Sequence, residues 1–179
     1  MPPTLTDQSL STLADYTAPA LMVPELKSQT AMAAIEELCL LLERDGRLPD
    51  RAAFFDAVMV REKLSSTAIS PGWALPHARL KGLPQLSFIL ARSPRPLVWS
   101  SEARFPVHTV ILFAAPDSEA KMYLNLISAI AKLSQNAALV AQLRQAPDAN
   151  TMFSVLQQVS LRQPRPSAGN LAASGVSVR

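Results

Sequence analysis

Disulfides, membrane spans and nucleotide-binding glycine loops all find too little to build on in this chain of 179 residues. Cysteine occurs once, as Cys39 within Leu38-Cys-Leu-Leu-Leu42, so no intrachain disulfide can form and no Cys/His cluster has metal-ligand spacing. A thiol in such an apolar run reads as a buried, inert small hydrophobe. Glycine occurs five times, without a P-loop or a GxGxxG pattern. No apolar run approaches the about 20 residues needed to span a bilayer. The first Lys or Arg is Lys27, so no basic region precedes an apolar segment as in a signal peptide. A cytoplasmic protein with no membrane insertion is expected. Charge is scarce too, at 17% of residues and a net +3. Without a basic helix or an aromatic-interleaved basic patch, nucleic acid is not an expected partner.

What is present suits one domain with tails and a substantial core, since 49% of the residues are hydrophobic. Residues 1–18 are Ser/Thr-rich and read as a flexible segment with at most a short helix around Gln8 to Ala14. Ala20 to Val23, ended by Pro24, reads as a strand. Ser28 is a plausible N-cap for a helix to Arg44, with Met32, Ile35, Leu38, Cys39 and Leu42 on one face and Gly46 as its stop. Asp50 caps a second helix to about Leu64, with Phe54, Val58 and Arg61 along a face. Leu86 to Arg92 and Leu97 to Trp99 read as two strands around a proline-rich turn, Ser93 to Pro96. Val107 to Ala115 is the strongest strand, apolar enough for burial on both faces. Asp117 or Ser118 starts a helix to about Ser134 with a stripe of Met122, Leu126, Ile130 and Leu133. Residues 136–146 and 149–161 supply two more helices. From Arg162 the composition turns to Pro, Ser, Gly and Asn, the signature of a disordered tail over 162–179. Alternating helices and strands predict a three-layer α/β domain, a mixed sheet covered on both faces.

Charge is distributed unevenly. Residues 61–104 hold seven Lys/Arg (61, 63, 79, 81, 92, 95, 104) against two Glu (62, 102). Such a surface suits a phosphate or a phosphorylated partner, and equally a solvated face. Within it lies Arg61-Glu-Lys-Leu-Ser-Ser-Thr-Ala-Ile-Ser-Pro-Gly-Trp-Ala-Leu-Pro-His77-Ala-Arg79, holding one of only two histidines. Pro76 stiffens the peptide before His77. A neutral imidazole is a competent nitrogen nucleophile near neutral pH, and the flanking cations would suit a phosphoryl group on it. A Pro-His pair taken alone is also what a turn without chemistry shows. Arg61, in the last turn of its helix, would also complement the helix dipole. The other histidine, His108, begins the strong strand and reads as a surface strand-end residue.

The string R-E-K-x-x-S-T-x-I-x-x-G-x-A-x-P-H-A-R resembles the EIIA domain of the fructose/mannitol class of the phosphoenolpyruvate-dependent sugar phosphotransferase system, a group that includes the nitrogen-regulatory EIIA proteins. Its motif there runs approximately REK-x-x-STGIG-x-GIAIPHAR. The resemblance continues through Pro106 to Pro116 and the following helix, over roughly residues 8 to 160, with the domain proper at 19–161. It implies that His77 is the phosphoacceptor and that Arg61, 16 positions earlier, supports the phosphorylated site. Three departures stand out. The first two motif glycines are Ala68 and Ser70, with an added Pro71 in the turn, and so a loop of altered shape is expected. Trp73 replaces an aliphatic residue. Tyr123 takes the position where many members carry a second histidine.

The resemblance implies a mixed, mostly parallel sheet of about five strands, with the motif at one sheet edge beside the helix bearing Tyr123. It implies a phosphocarrier or regulator with a phosphohistidine intermediate and not a stand-alone enzyme. His77 would take its phosphoryl group from HPr or a similar carrier, then pass it to an EIIB-type domain or act as a regulatory signal of the nitrogen-phosphotransferase kind. No cofactor or metal is implied. Two other readings stay open: a non-phosphorylated EIIA-like module that binds a regulatory target, and a hydrolase with His77 as general base. The last has no Ser or Cys elbow and no carboxylate partner in the sequence.

Overall fold

The N-terminal boundaries of the first two long helices are each set by a single polar side chain. A computed structural model describes residues 11–69, 71–100 and 105–161. In it α1 (Ala31–Arg44) starts behind Thr30, whose hydroxyl accepts the Ala33 N–H at 3.3 Å. The cap expected at Ser28 is displaced by two residues, because the Ser28 hydroxyl donates instead to the Glu37 carboxylate and to the Ala33 carbonyl. α1 ends as a Schellman motif: Gly46 has φ +74°, and Arg47 N–H reaches back to the Leu42 carbonyl at 2.9 Å. Asp50 caps α2 (Arg51–Leu64) through the Ala53 N–H at 2.9 Å, as expected. Each such cap contributes on the order of 1 kcal/mol.

The buried face of α1 consists of Ala34, Ile35, Leu38, Cys39 and Leu42. Met32 was expected there but is 58% exposed. At 100° per residue it lies about 90° from the centre of that arc, in the first turn of the shortened helix. Cys39 is fully buried, and burial pushes its thiol pKa up to about 12, which leaves it inert near neutral pH.

Among the described residues six strands form one mixed sheet: β1 (Met22–Val23), β2 (Ala68–Ile69), β3 (Trp73–Ala74), β4 (His77–Leu80), β5 (Ser87–Leu97) and β6 (Val107–Pro116). Three pairings are parallel (β1–β5, β3–β6, β4–β6) and two antiparallel (β2–β3, β5–β6). β6 is the axis. One of its edges is taken by β5, and the other is shared along its length by β3 and then β4. Its whole stretch from Val110 to Pro116 is buried, as its unbroken apolar sequence predicts.

β5 differs from expectation. The prolines at 94 and 96 do not end it; the ladder with β6 shifts register between Arg92 and Leu97, and the strand resumes. A bulged, edge-exposed segment tolerates prolines because they owe no ladder hydrogen bond there. Trp99 falls beyond the strand's end.

Helices cover both faces. α1 packs on α2 and on β5, and α2 on β4. α3 (Ala120–Gln135), α4 (Ala137–Gln145) and α5 (Ala149–Leu156) pack in series, with α3 against β6 and α5 against β1. A 3-10 turn, Asp117–Glu119, precedes α3, so neither Asp117 nor Ser118 caps it. The last helix closes at Leu156, five residues short of the expected end. The residues after it pair instead with the chain start, Leu161 N–H bonding the Ser11 carbonyl at 2.7 Å. Of the N-terminal segment expected to be flexible, residues 11–18 hold a 3-10 turn with Leu13 in the core. Residues 1–10 and the expected tail at 162–179 lie outside the described residues.

Among the described residues no helix is long and apolar enough to cross a membrane. Nor does any group of three or more His, Cys, Asp or Glu side chains converge as a metal site would require.

Candidate functional site

The motif folds as two short strands and a turn that feed β4. Ala68 pairs with Ala74 and Ile69 with Trp73 in a small antiparallel ribbon. Ala68 therefore sits in extended backbone, where an alanine costs nothing. The glycine that the turn does require is Gly72. Its φ is +91°, and a Cβ there would lie 2.9 Å from the Pro106 carbonyl oxygen. The Gly72 carbonyl in turn accepts the His108 and Thr109 N–H groups, at 2.8 and 3.2 Å, and so pins the turn to β6. Ser70 lies outside the described residues. Trp73 is buried and lines a second cleft, not the crevice of the motif histidine.

His77 opens β4, in register with Phe113 of β6. Three elements converge on it: α2 brings Arg61, α3 brings Tyr123, and β4 itself continues to Arg79. The three residues singled out from the sequence are thus brought together, and His108 lies elsewhere. The crevice they share has a volume near 550 Å³ and includes Asp117 and the apolar side chains of Val60, Leu64 and Leu124. Those three are 61%, 80% and 64% exposed, a bare apolar rim around a polar centre.

Hydrogen bonds assign the histidine's tautomer. The Arg61 Nε–H points at His77 Nε2, 3.1 Å away, and a guanidinium cannot accept, so Nε2 carries the lone pair. On the other side Nδ1 lies 2.9 Å from the Leu75 carbonyl, which can only accept, so Nδ1 carries the proton. Both contacts demand the same neutral ring. Burial is the largest influence on its pKa and lowers it below the usual 6.5; the Leu75 bond opposes this, and Arg61 and Arg79 add to it.

Arg61 sits in the last turn of α2 and spends Nη1 on the Ser65 carbonyl at 2.9 Å. Both roles weighed for it are therefore compatible: it closes the helix end, and its Nε still reaches the imidazole. The Tyr123 ring lies 5.6 Å from that of His77 at a 45° tilt, and its far side packs edge-on against Phe113. Burial raises the Tyr123 pKa to about 12, so the phenol stays neutral. One residue the motif reading passed over is Glu62. Its carboxylate binds Thr67 and Trp99, and the contact to Trp99, 37 positions away, leaves no local signal in the sequence.

Chemically, the crevice offers an unprotonated ring nitrogen, two guanidinium groups and a neutral phenol within an apolar rim. Comparison with known proteins places the chain. Residues 17–159 match the family model for the phosphoenolpyruvate-dependent sugar phosphotransferase system, EIIA 2. A nitrogen regulatory protein of Bradyrhizobium diazoefficiens is 32% identical over 145 residues, covering 80% of this chain and 94% of its own. The nitrogen regulatory protein IIA-Ntr of Neisseria meningitidis superposes with a TM-score of 0.70 at 24% identity, over 80% of this chain and 98% of that one. Enzyme IIAMTL of Escherichia coli, solved in complex with phosphorylated enzyme IIBMTL, gives 0.68 at 17% identity, over 79% and 96%. With the family model spanning most of its length and a relative of this identity along 80% of it, the chain belongs to the EIIA type 2 family of the phosphoenolpyruvate-dependent sugar phosphotransferase system.

Proposed function

We propose that this protein is a cytoplasmic phosphocarrier or regulator that takes a phosphoryl group on His77 Nε2 from the phosphohistidine of an HPr-like carrier. The observation that carries the reading is the doubly constrained imidazole, with Nδ1–H held by Leu75 and the Nε2 lone pair facing Arg61. In the transfer the P–N bond to the donor ring breaks as a P–N bond to Nε2 forms. His77 keeps its Nδ1 proton, and the ring's new positive charge is stabilised by the Leu75 carbonyl. The donor ring leaves with the electron pair of the broken bond. Arg61 turns from the ring nitrogen to the equatorial oxygens, and Arg79 adds a second cation. Tyr123 flanks the ring as a neutral hydrogen-bond donor. No metal is called for, because the two ring nitrogens are similar leaving groups.

The phosphoryl group then passes to an EIIB-type domain, or phosphorylation itself is the signal in a nitrogen-phosphotransferase-type branch. The complex with phosphorylated IIBMTL among the structural neighbours supports the first route, and the nitrogen regulatory relative supports the second. The apolar rim of Val60, Leu64 and Leu124 supplies a surface for either partner.

One observation favours a second reading, a binding module that is never phosphorylated: Tyr123 stands where many members carry a second histidine. Intact mass after incubation with phosphoenolpyruvate and the general phosphotransferase proteins decides between them. Gain of one acid-labile, base-stable phosphoryl group is expected. No gain with either the sugar-branch or the nitrogen-branch carrier would establish the module reading.

A further inference from the structure

Glu62 neighbours the phosphate-facing arginine, yet its carboxylate is directed to the loop that follows α2. Oε1 accepts the Thr67 N–H at 2.9 Å and the Trp99 Nε1–H at 2.8 Å; Oε2 accepts the Thr67 hydroxyl at 2.6 Å. Thr67 and Trp99 are both buried, so three donors that would otherwise lose water are satisfied by one anion. From Thr67 the connection continues through the backbone. Its carbonyl accepts the Leu75 N–H at 3.1 Å, and the Leu75 carbonyl accepts His77 Nδ1–H at 2.9 Å.

We infer that Glu62, anchored by Trp99, is a positioning residue that holds the Thr67–Leu75 backbone so that His77 presents its lone pair on Nε2. The carboxylate touches neither the ring nor an incoming phosphoryl group. Its effect runs through Thr67 and Leu75, and loosening it frees the carbonyl that fixes the tautomer. The loop here lacks two of the family's motif glycines and gains a proline, and the clamp gives that altered turn an external fixture on a segment beyond β5. The inference rests on the reading of His77 as acceptor only where a transfer rate is measured.

The test therefore has two arms. Nitrogen-15 NMR of the imidazole reads the tautomer without any phosphoryl transfer. The wild type should show the Nδ1–H form, and Glu62→Ala should move His77 toward the mixed shifts of a free imidazole. Glu62→Gln, which keeps acceptors for Thr67 N–H and Trp99, should recover most of the tautomer signature, and Trp99→Phe should fall between. In the second arm, phosphorylation by the carrier should slow about ten- to a hundredfold in Glu62→Ala and only severalfold in Trp99→Phe. An unchanged Nδ1–H signature in both Glu62→Ala and Trp99→Phe overturns the inference. Should Glu62→Ala not fold, Trp99→Phe and Thr67→Val carry the measurement with the same expected direction. A wild type that takes no phosphate removes the proposed function but leaves the tautomer arm intact.

Discussion

Two crevices near opposite ends of β6 contain nearly the same chemistry and use it differently. One, near 550 Å³, holds His77 with Arg61 and Arg79; the other, near 580 Å³, holds His108 with Arg92 and Arg144. In the first, the arginine at the centre directs Nε to the imidazole. In the second, Arg92 gives Nε to the Pro24 carbonyl at 3.0 Å and Nη1 to the Leu143 and Arg144 carbonyls at 2.8 and 2.7 Å. It ties β5 to the end of α4 as a strut. Residue types do not distinguish the two places; the acceptor of each guanidinium does. On the proposed reading, one cation supports chemistry and the other supports the fold.

The sharpest way to break this contrast is to exchange the histidines' fates. His77→Ala should abolish phosphoryl gain altogether, whereas His108→Ala should leave it at the wild-type rate, both read by intact mass. Label surviving in His77→Ala would move the site to the other crevice. Next come the arginines. Arg61→Lys should fold normally and take phosphate ten- to a hundredfold more slowly, since a lost charge-assisted bond costs about 1.5–3 kcal/mol. Arg92→Ala should do the reverse, lowering urea stability by about 2 kcal/mol through orphaned carbonyls while transfer persists. If both variants lost stability and neither lost rate, the contrast between strut and site would collapse.

A smaller effect is expected at Tyr123. Removing its hydroxyl in Tyr123→Phe should slow transfer by no more than about tenfold, the value of one neutral hydrogen bond. With a phenol pKa of about 12, the wild type should show no second titration in its pH–rate profile near neutrality. Tyr123→His should add one; a profile that stays unchanged would mean that this ring does not serve the transfer. The subtlest prediction concerns His77 itself. Its pKa is lowered from 6.5, so transfer should persist into mildly acidic solution with a midpoint below that value. The stability sign follows from proton uptake. Below about pH 6.5 the unfolded chain protonates this histidine first, so stability falls with falling pH until the folded-state pKa is passed. Histidine titration by NMR, with His108→Ala to isolate the signal, reads the midpoint; a value above 6.5 would contradict the buried, neutral ring.

Much of this was legible in the chain. The fold class follows from alternation and from the apolar run of β6, and the resemblance carried by the motif implies the pairing of Arg61 with His77. Other parts depend on tertiary context. Prolines 94 and 96 read as a turn because no local rule shows that a register shift in β5 relieves them of ladder bonds. Met32 fits the helical period but lies off the buried arc once the helix starts behind Thr30. Of the two glycine departures, Ala68 falls in strand backbone, and among the described glycines it is Gly72 whose added Cβ would meet a backbone atom. Glu62 was invisible for a different reason: its partner Trp99 comes from a distant segment, and a hydrogen bond at that range has no periodicity to betray it.

The exposed rim of Val60, Leu64 and Leu124 carries one more consequence. On the proposed reading, the rim is the same whether or not His77 is loaded, while the centre changes from a neutral ring to a dianionic group. A partner that needs only the apolar ring meets both forms alike. A partner with its own charge over the centre distinguishes them. The crevice thus works as an envelope with a fixed address and a removable stamp, and one surface can both deliver a phosphoryl group and report whether it is there.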